Sequence, residues 1–258
     1  MFVALIVFLL GASLGSFLML SVDRGSFARS LFGRSVCDRC MRVLRVHHLI
    51  PLVGWVWLSG RCAWCQHRLS YIYPLFECGL GLALLFVWIH HVGVVADPFV
   101  LDVAAWGKIL RDTVFTTLLA LLFLYDLRRG LLPDRITIPA ILIAVVWNGL
   151  QGQSGQEVLL GALVLGGFFL AQFIASRGRW VGGGDIRMGV LLGVMLGLVG
   201  GIEALVLAYV LGAGVGLWLL LFGKATRKTP LPFGTFLAIG GYMVLLWGPE
   251  LLSLILRP

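Results

Sequence analysis

The chain has 258 residues, 60% of them hydrophobic and only 12% charged, with mean hydropathy +1.00. That composition excludes an ordinary soluble globular protein and defines a polytopic membrane protein. The formal net charge of +8 is read in such a chain as an orientation signal, not as nucleic-acid binding. Spans need roughly 17–25 apolar residues, and eight segments qualify in chain order: about 2–22, 72–92, 105–125, 136–150, 157–176, 187–200, 202–222 and 233–256. The first has no basic residue before its apolar run and no Ala-x-Ala site, so it is expected to stay as a helix rather than be cleaved as a signal peptide. The sixth begins after a glycine run. Glycine is abundant at 34 residues, and Gly189/Gly193/Gly197 and Gly212/Gly216 offer small faces for close helix packing. The fold class is therefore all-α and polytopic, with three parts: 1–22 as the first membrane helix, 23–71 as a polar loop, and 72–258 as a seven-helix core.

The basic residues alternate with the spans. Arg24, Arg29, Arg34, Arg39, Arg42, Arg45, Arg61 and Arg68 fall in the first loop. Arg128, Arg129 and Arg135 follow, then Arg177, Arg179 and Arg187, then Lys224, Arg227 and Lys228. The opposite side carries Asp97, Asp102, Glu157, Glu203 and Glu250. The positive-inside rule then makes the 23–70 segment cytoplasmic and both termini external.

That loop holds Cys37-Asp-Arg-Cys40 and Cys62-Ala-Trp-Cys65, with twenty-one residues between the pairs. Each Cys-x-x-Cys offers two thiolates to one tetrahedral ion, and the second pair closes a four-sulfur shell. The reducing cytoplasm disfavours two disulfides. Cys37, Cys40, Cys62 and Cys65 are thus expected to hold structural Zn with no open position for catalysis. His47, His48 and His67 are read as loop histidines, and Cys78 as a packed small hydrophobe.

Two aspartates stand at or just inside apolar segments: Asp126 and Asp185. Intramembrane carboxylates are costly and point to function. Taken singly, Asp126 is equally well read as an interfacial partner of Arg128 or Arg129, and Asp185 as a helix cap. Asp134 is read as capping its helix, and Asp112 as paired with Arg111. The topology places Asp126 and Asp185 on one side of the membrane. Gly182, Gly183 and Gly184 before Asp185 would let an extended peptide pass close to the backbone. Two adjacent carboxyls share one proton, so one can activate water while the other polarises a scissile carbonyl. An ion-coupled transporter and a zinc-held membrane scaffold are the rival readings.

Further motifs occur in order: Gly15-Ser16-Phe17-Leu18, Arg34-Ser35-Val36-Cys37, Ile50-Pro51-Leu52-Val53-Gly54-Trp55, Gly60-Arg61-Cys62, Tyr73-Pro74-Leu75-Phe76-Glu77, Leu132-Pro133-Asp134, Gly182-Gly183-Gly184-Asp185 and Pro232-Phe233-Gly234. With them the chain resembles the type IV prepilin peptidases, membrane aspartyl proteases of the Gly-x-Gly-Asp class. The resemblance implies Asp126 and Asp185 as the catalytic pair, facing the cytoplasmic boundary of the bacterial inner membrane. It implies prepilin and pseudopilin substrates of type IV pili and type II secretion, cut after the Gly of a short basic leader, and membrane lipid as surroundings. It also implies N-methylation of the new terminus with S-adenosylmethionine. Three positions depart from the family pattern: Met19 stands where Asn is usual, Arg187 where Lys is usual, and Asp38 where many members have Pro.

Overall fold

The computed structural model describes residues 2–25, 35–37, 39–93, 102–223, 226, 229 and 231–255, with side chains only to 248 in the last segment. Arg29, Arg34, Asp38, Asp97, Lys224, Arg227 and Lys228 lie outside the described residues, as does the side chain of Glu250. The helices run in the expected order: α1 Phe2–Arg24, a 3-10 turn Val46–Leu49, α2 Val53–Trp57, α3 Ile72–Val92, α4 Val103–Arg129, α5 Asp134–Leu150, α6 Gly155–Ser176, α7 Gly183–Leu221 and α8 Phe233–Ile255. Among the described residues the only extended pairings are two isolated bridges. Among the described residues four helices, α1, α3, α6 and α7, are long and apolar enough to cross a membrane, and Phe233–Gly248 is a shorter apolar helix. The protein is a multi-pass membrane protein.

One expected boundary moves. Segments 187–200 and 202–222 are two helices that meet at a kink within the continuous helical run Gly183–Leu221. The break lies at Gly197, whose φ of 72° and ψ of −173° leave the helical region. A Cβ on Gly197 itself would meet nothing within 4 Å, while its carbonyl carbon stays in the α6–α7 contact, 2.9 Å from where a Cβ on Gly161 would lie. Its role is conformational, because an L side chain disfavours positive φ. The break would orphan the carbonyl of Val194, and buried Asn148 of α5 donates its side-chain N–H to that oxygen at 2.5 Å.

The chain forms two compact units, residues 1–113 and 114–258. In the first, α1 packs on α3 through small residues. A Cβ on Gly11 would lie 2.9 Å from the Gly81 Cα, and one on Gly15 would lie 3.1 Å from the Glu77 Cα. Backbones approach this closely in lipid because dispersion must replace the hydrophobic drive. Tyr73 donates to Asp23, tying the ends of the two helices. Buried Glu77 accepts the N–H of Leu52 at 2.8 Å and so holds the Pro51-Leu52 turn, where Leu52 has φ 62°. Asp112 pairs with Arg111 Nε at 2.7 Å as expected, and His91 Nε2 adds a second contact at 2.6 Å.

In the second unit, α7 packs against α5, α6 and α8. Gly161 of α6 faces Gly193 of α7 so tightly that a Cβ on either would strike the other's carbonyl oxygen. A Cβ on Gly189 would lie 2.6 Å from the Phe169 ring, while Gly212 and Gly216 sit more loosely against Phe236 and Leu231, both at 3.3 Å.

Candidate active site and metal centre

Asp126 lies in the last turn of α4 and is buried. Pro232 precedes α8, whose first turn supplies N–H groups with no intrahelical acceptor. Thr235 N–H donates to Asp126 Oδ2 at 2.8 Å, and the Gly234 N–H also faces this carboxyl. A carboxylate at a helix start is the expected anion arrangement. Gly234 is required there: a Cβ would lie 2.9 Å from Oδ2 and 3.0 Å from Cγ of Asp126.

Asp185 is the third residue of α7. Its Oδ2 accepts the Gly182 N–H at 2.8 Å, and its own N–H donates to the Gly182 carbonyl at 3.1 Å. This is the side-chain half of a capping box, closed by a backbone turn because Gly182 has no side chain. Asp185, expected to be the N-cap itself, gives that position to Gly182 and reaches back to it from the third helical residue with one oxygen, leaving the second for other work. Leu132, buried on the link between α4 and α5, lies against both helix starts. A Cβ on Gly184 would lie 3.0 Å from the Leu132 Cβ, and one on Gly234 would lie 3.1 Å from Leu132 Cδ1.

The glycines before Asp185 differ among themselves. None has positive φ. Gly182 and Gly183 are exposed, and a Cβ on Gly183 would meet nothing within 4 Å. Gly184 alone is confined, against Leu132. Asp134, expected to cap α5, opens that helix while Pro133 takes the cap position, and its carboxylate meets Arg187 at 2.6 Å. Sequence reasoning named Leu132 and Gly234 within motifs but gave them no role, and it missed the Thr235 N–H. The one available signal was Pro-Phe-Gly at a helix start, where free N–H groups and a missing Cβ make room for an anion.

The four cysteines converge. Their sulfurs all lie within 4.8 Å of one another, with Cys37–Cys65 at 3.8 Å and Cys40–Cys62 at 3.9 Å. An ion about 2.3 Å from four sulfurs in a tetrahedron would space them about 3.8 Å apart, so the cluster could hold a metal ion. The two knuckles repeat each other. Cys37 N–H donates to Arg42 O and Cys62 N–H to His67 O, while Leu44 N–H donates to Ser35 O and Leu69 N–H to Gly60 O. Met41 and Gln66 both take φ 55° directly after their pairs. Burial opposes ionisation of Cys62, but the N–H groups of Cys65 and Trp64 and the thiols of Cys37 and Cys65 bring it down to about 6. At Cys65 the His67 N–H favours the thiolate, yet burial and the neighbouring sulfurs push it up to about 11. The cluster thus favours one early thiolate with its neighbours as donors, a arrangement that a cation would complete.

Apolar helices with two carboxyls fixed by helix-start N–H groups define a membrane protein with an acidic centre. Sequence comparison supplies the family. The bacterial Peptidase A24 N-terminal domain matches residues 9–91, and the type IV leader peptidase family matches residues 113–217. The chain is 34% identical over 223 residues to the prepilin leader peptidase/N-methyltransferase of Aeromonas salmonicida, covering 84% of this chain and 72% of that one. It is 31% identical over 257 residues to the protein of that name from Bacillus subtilis, covering 98% and 97%. A third relative of that name, from Stutzerimonas stutzeri, is 31% identical over 243 residues, 91% of this chain and 79% of its own. No solved structure matches the chain. The chain belongs to the type IV leader peptidase family, and it is an enzyme of that protease family.

Proposed function

We propose that Asp126 and Asp185 are the catalytic pair of a prepilin leader peptidase. The observation that supports this most is the shared construction of the two residues. Each carboxyl has Oδ2 fixed by a backbone N–H at a helix start, and Leu132 packs under both helix starts. The other oxygen of each is left to hold a water. One carboxylate takes a proton from that water as its oxygen attacks the scissile carbonyl carbon. The protonated partner gives its proton to the carbonyl oxygen. The C–N bond then breaks as the amine receives a proton from the pair, and the free acid and amine leave. Preorganised N–H groups keep the carboxyls from rotating during these steps. The open side of Gly182-Gly183 is where an extended substrate would pass.

The substrate class follows the names of the relatives: prepilins and pseudopilins, cut after the leader Gly. Net basic loops support a position for the pair at the cytoplasmic side of the bacterial inner membrane, with both termini external. The metal is proposed to be Zn, held by Cys37, Cys40, Cys62 and Cys65 as a closed four-sulfur shell that organises the loop and takes no part in hydrolysis. N-methylation of the new terminus with S-adenosylmethionine as methyl-donating substrate is a second proposed activity, carried by the names of the relatives, with no residue assigned to it.

The test is incubation of the purified protein with a prepilin retaining its leader, followed by mass spectrometry of the product. Cleavage after the leader Gly is expected, with a further ~14 Da when the methyl donor is added. A product cut elsewhere, or an intact substrate with folded enzyme, would remove the peptidase reading. A product that stays unmethylated would remove the second activity alone.

A further inference from the structure

The segment between α1 and α3 carries a surface that peptide hydrolysis does not use. In α2, Gly54 faces inward so closely that a Cβ would strike the His48 carbonyl, while the Trp55 ring covers Gly60. Val53, Val56 and Trp57, spaced i, i+3 and i+4, share the opposite face. They line an open apolar groove with Leu52. Val56 is 68% and Trp57 75% exposed, and Val46 of the adjacent 3-10 turn is 83% exposed. Exposed apolar side chains clustered on one short element mark an interaction site.

Charge and depth identify the partner. Among the described residues from 39 to 71 there is no acidic side chain, and Arg39, Arg42, Arg45, Arg61 and Arg68 are all exposed. The Leu52 N–H, at the start of α2, reaches Glu77. Glu77 lies five residues into α3, about 7.5 Å along its axis, and its Cα packs on Gly15 of α1. Glu77 therefore holds α2 beside the start of α3 and the C-terminal half of α1. An interfacial helix lies about 5–10 Å into the headgroup boundary, comparable with the distance of Glu77 from the start of α3. Trp57 and the exposed Tyr71 are the residue types that occupy that layer.

We propose that the outer face of α2, with Val46, docks into the headgroup layer of an anionic lipid leaflet, and that the arginines of residues 39–68 face its phosphates. Which leaflet this is rests on the cytoplasmic placement proposed above, while the docking does not. Vesicles of uniform composition separate the two.

The test uses the full chain in vesicles with lipids brominated near the headgroup or deep in the acyl chain. Trp57 is one of nine tryptophans, so its share is the difference between wild type and Trp57→Leu. In anionic vesicles, shallow bromines are expected to remove about half or more of that share, and deep bromines clearly less. Neutralising Arg42 and Arg45 together (both to Gln) is expected to weaken occupancy on the order of tenfold or more. Quenching of the Trp57 share by aqueous iodide instead would show a water-facing surface and overturn the proposal. Protection from both bromine and iodide would show that another part of the chain covers α2, with the same consequence. Unchanged quenching in the double Arg variant would overturn the electrostatic part.

Discussion

Replacing Gly234 by Ala isolates the role of one N–H group at the acidic centre. The new methyl would lie 2.9 Å from Asp126 Oδ2 and 3.1 Å from Leu132 Cδ1. Ordinary contact requires about 3.5–4.0 Å, so the carboxyl must withdraw by roughly 0.5–1 Å. The 2.8 Å bond from Thr235 N–H then lengthens beyond a useful distance. A hydrogen bond to a charged group contributes about 1.5–3 kcal/mol. If that is expressed in the transition state, kcat falls about 10- to 100-fold. Gly234 does not have positive φ, and Ala is the better helix former by about 1 kcal/mol. The lost hydrogen bond and the crowding outweigh that gain, so the melting temperature should fall by a few degrees. The kcat comparison is made where both enzymes are folded. Gly214→Ala is the control, since nothing lies within 4 Å of its Cβ position. The assay is single-turnover cleavage of a prepilin by the full chain in detergent, beside a melting curve. A Gly234→Ala enzyme with wild-type kcat would refute the claim that the start of α8 positions Asp126.

Other substitutions probe the remaining parts. Cys62→Ser should lose bound zinc, measured by elemental analysis, and open residues 35–70 to proteolysis, because a structural zinc supplies on the order of 10 kcal/mol of local folding energy. Gly161→Ala should destabilise by about 1–3 kcal/mol through its clash with the Gly193 carbonyl, whereas Gly167→Ala, with open space, should leave the melting temperature unchanged. Asp134→Asn should change stability by no more than about 1 kcal/mol, since the Asp134–Arg187 pair is 55% and 36% exposed.

Much of this architecture was legible because bilayer physics is strict. Length and hydropathy place the helices, and Cys-x-x-Cys spacing places the sulfurs. The unread parts depend on tertiary packing. Gly193, Gly197, Gly200 and Gly201 look alike in sequence, and only packing selects Gly197 for the break in α7. Arg187 finds Asp134 across more than fifty positions, with no local pattern to signal it. The Thr235 N–H is invisible to any reading of side chains, since every residue but proline carries one. Likewise, the loop between α1 and α3 reads as polar from its arginines. The apolar face of α2 emerges only once Gly54 is seen packed on His48.

The most direct test of the aspartate pair compares wild type with Asp126→Asn and Asp185→Asn in prepilin cleavage. Asn keeps the shape and an acceptor oxygen for the Thr235 and Gly182 N–H groups, so both variants should fold, with Asp185→Asn retaining the cap of α7. Neither can move the proton, and each should lose on the order of 10²- to 10⁴-fold in kcat. Wild-type cleavage by either folded variant would contradict the account.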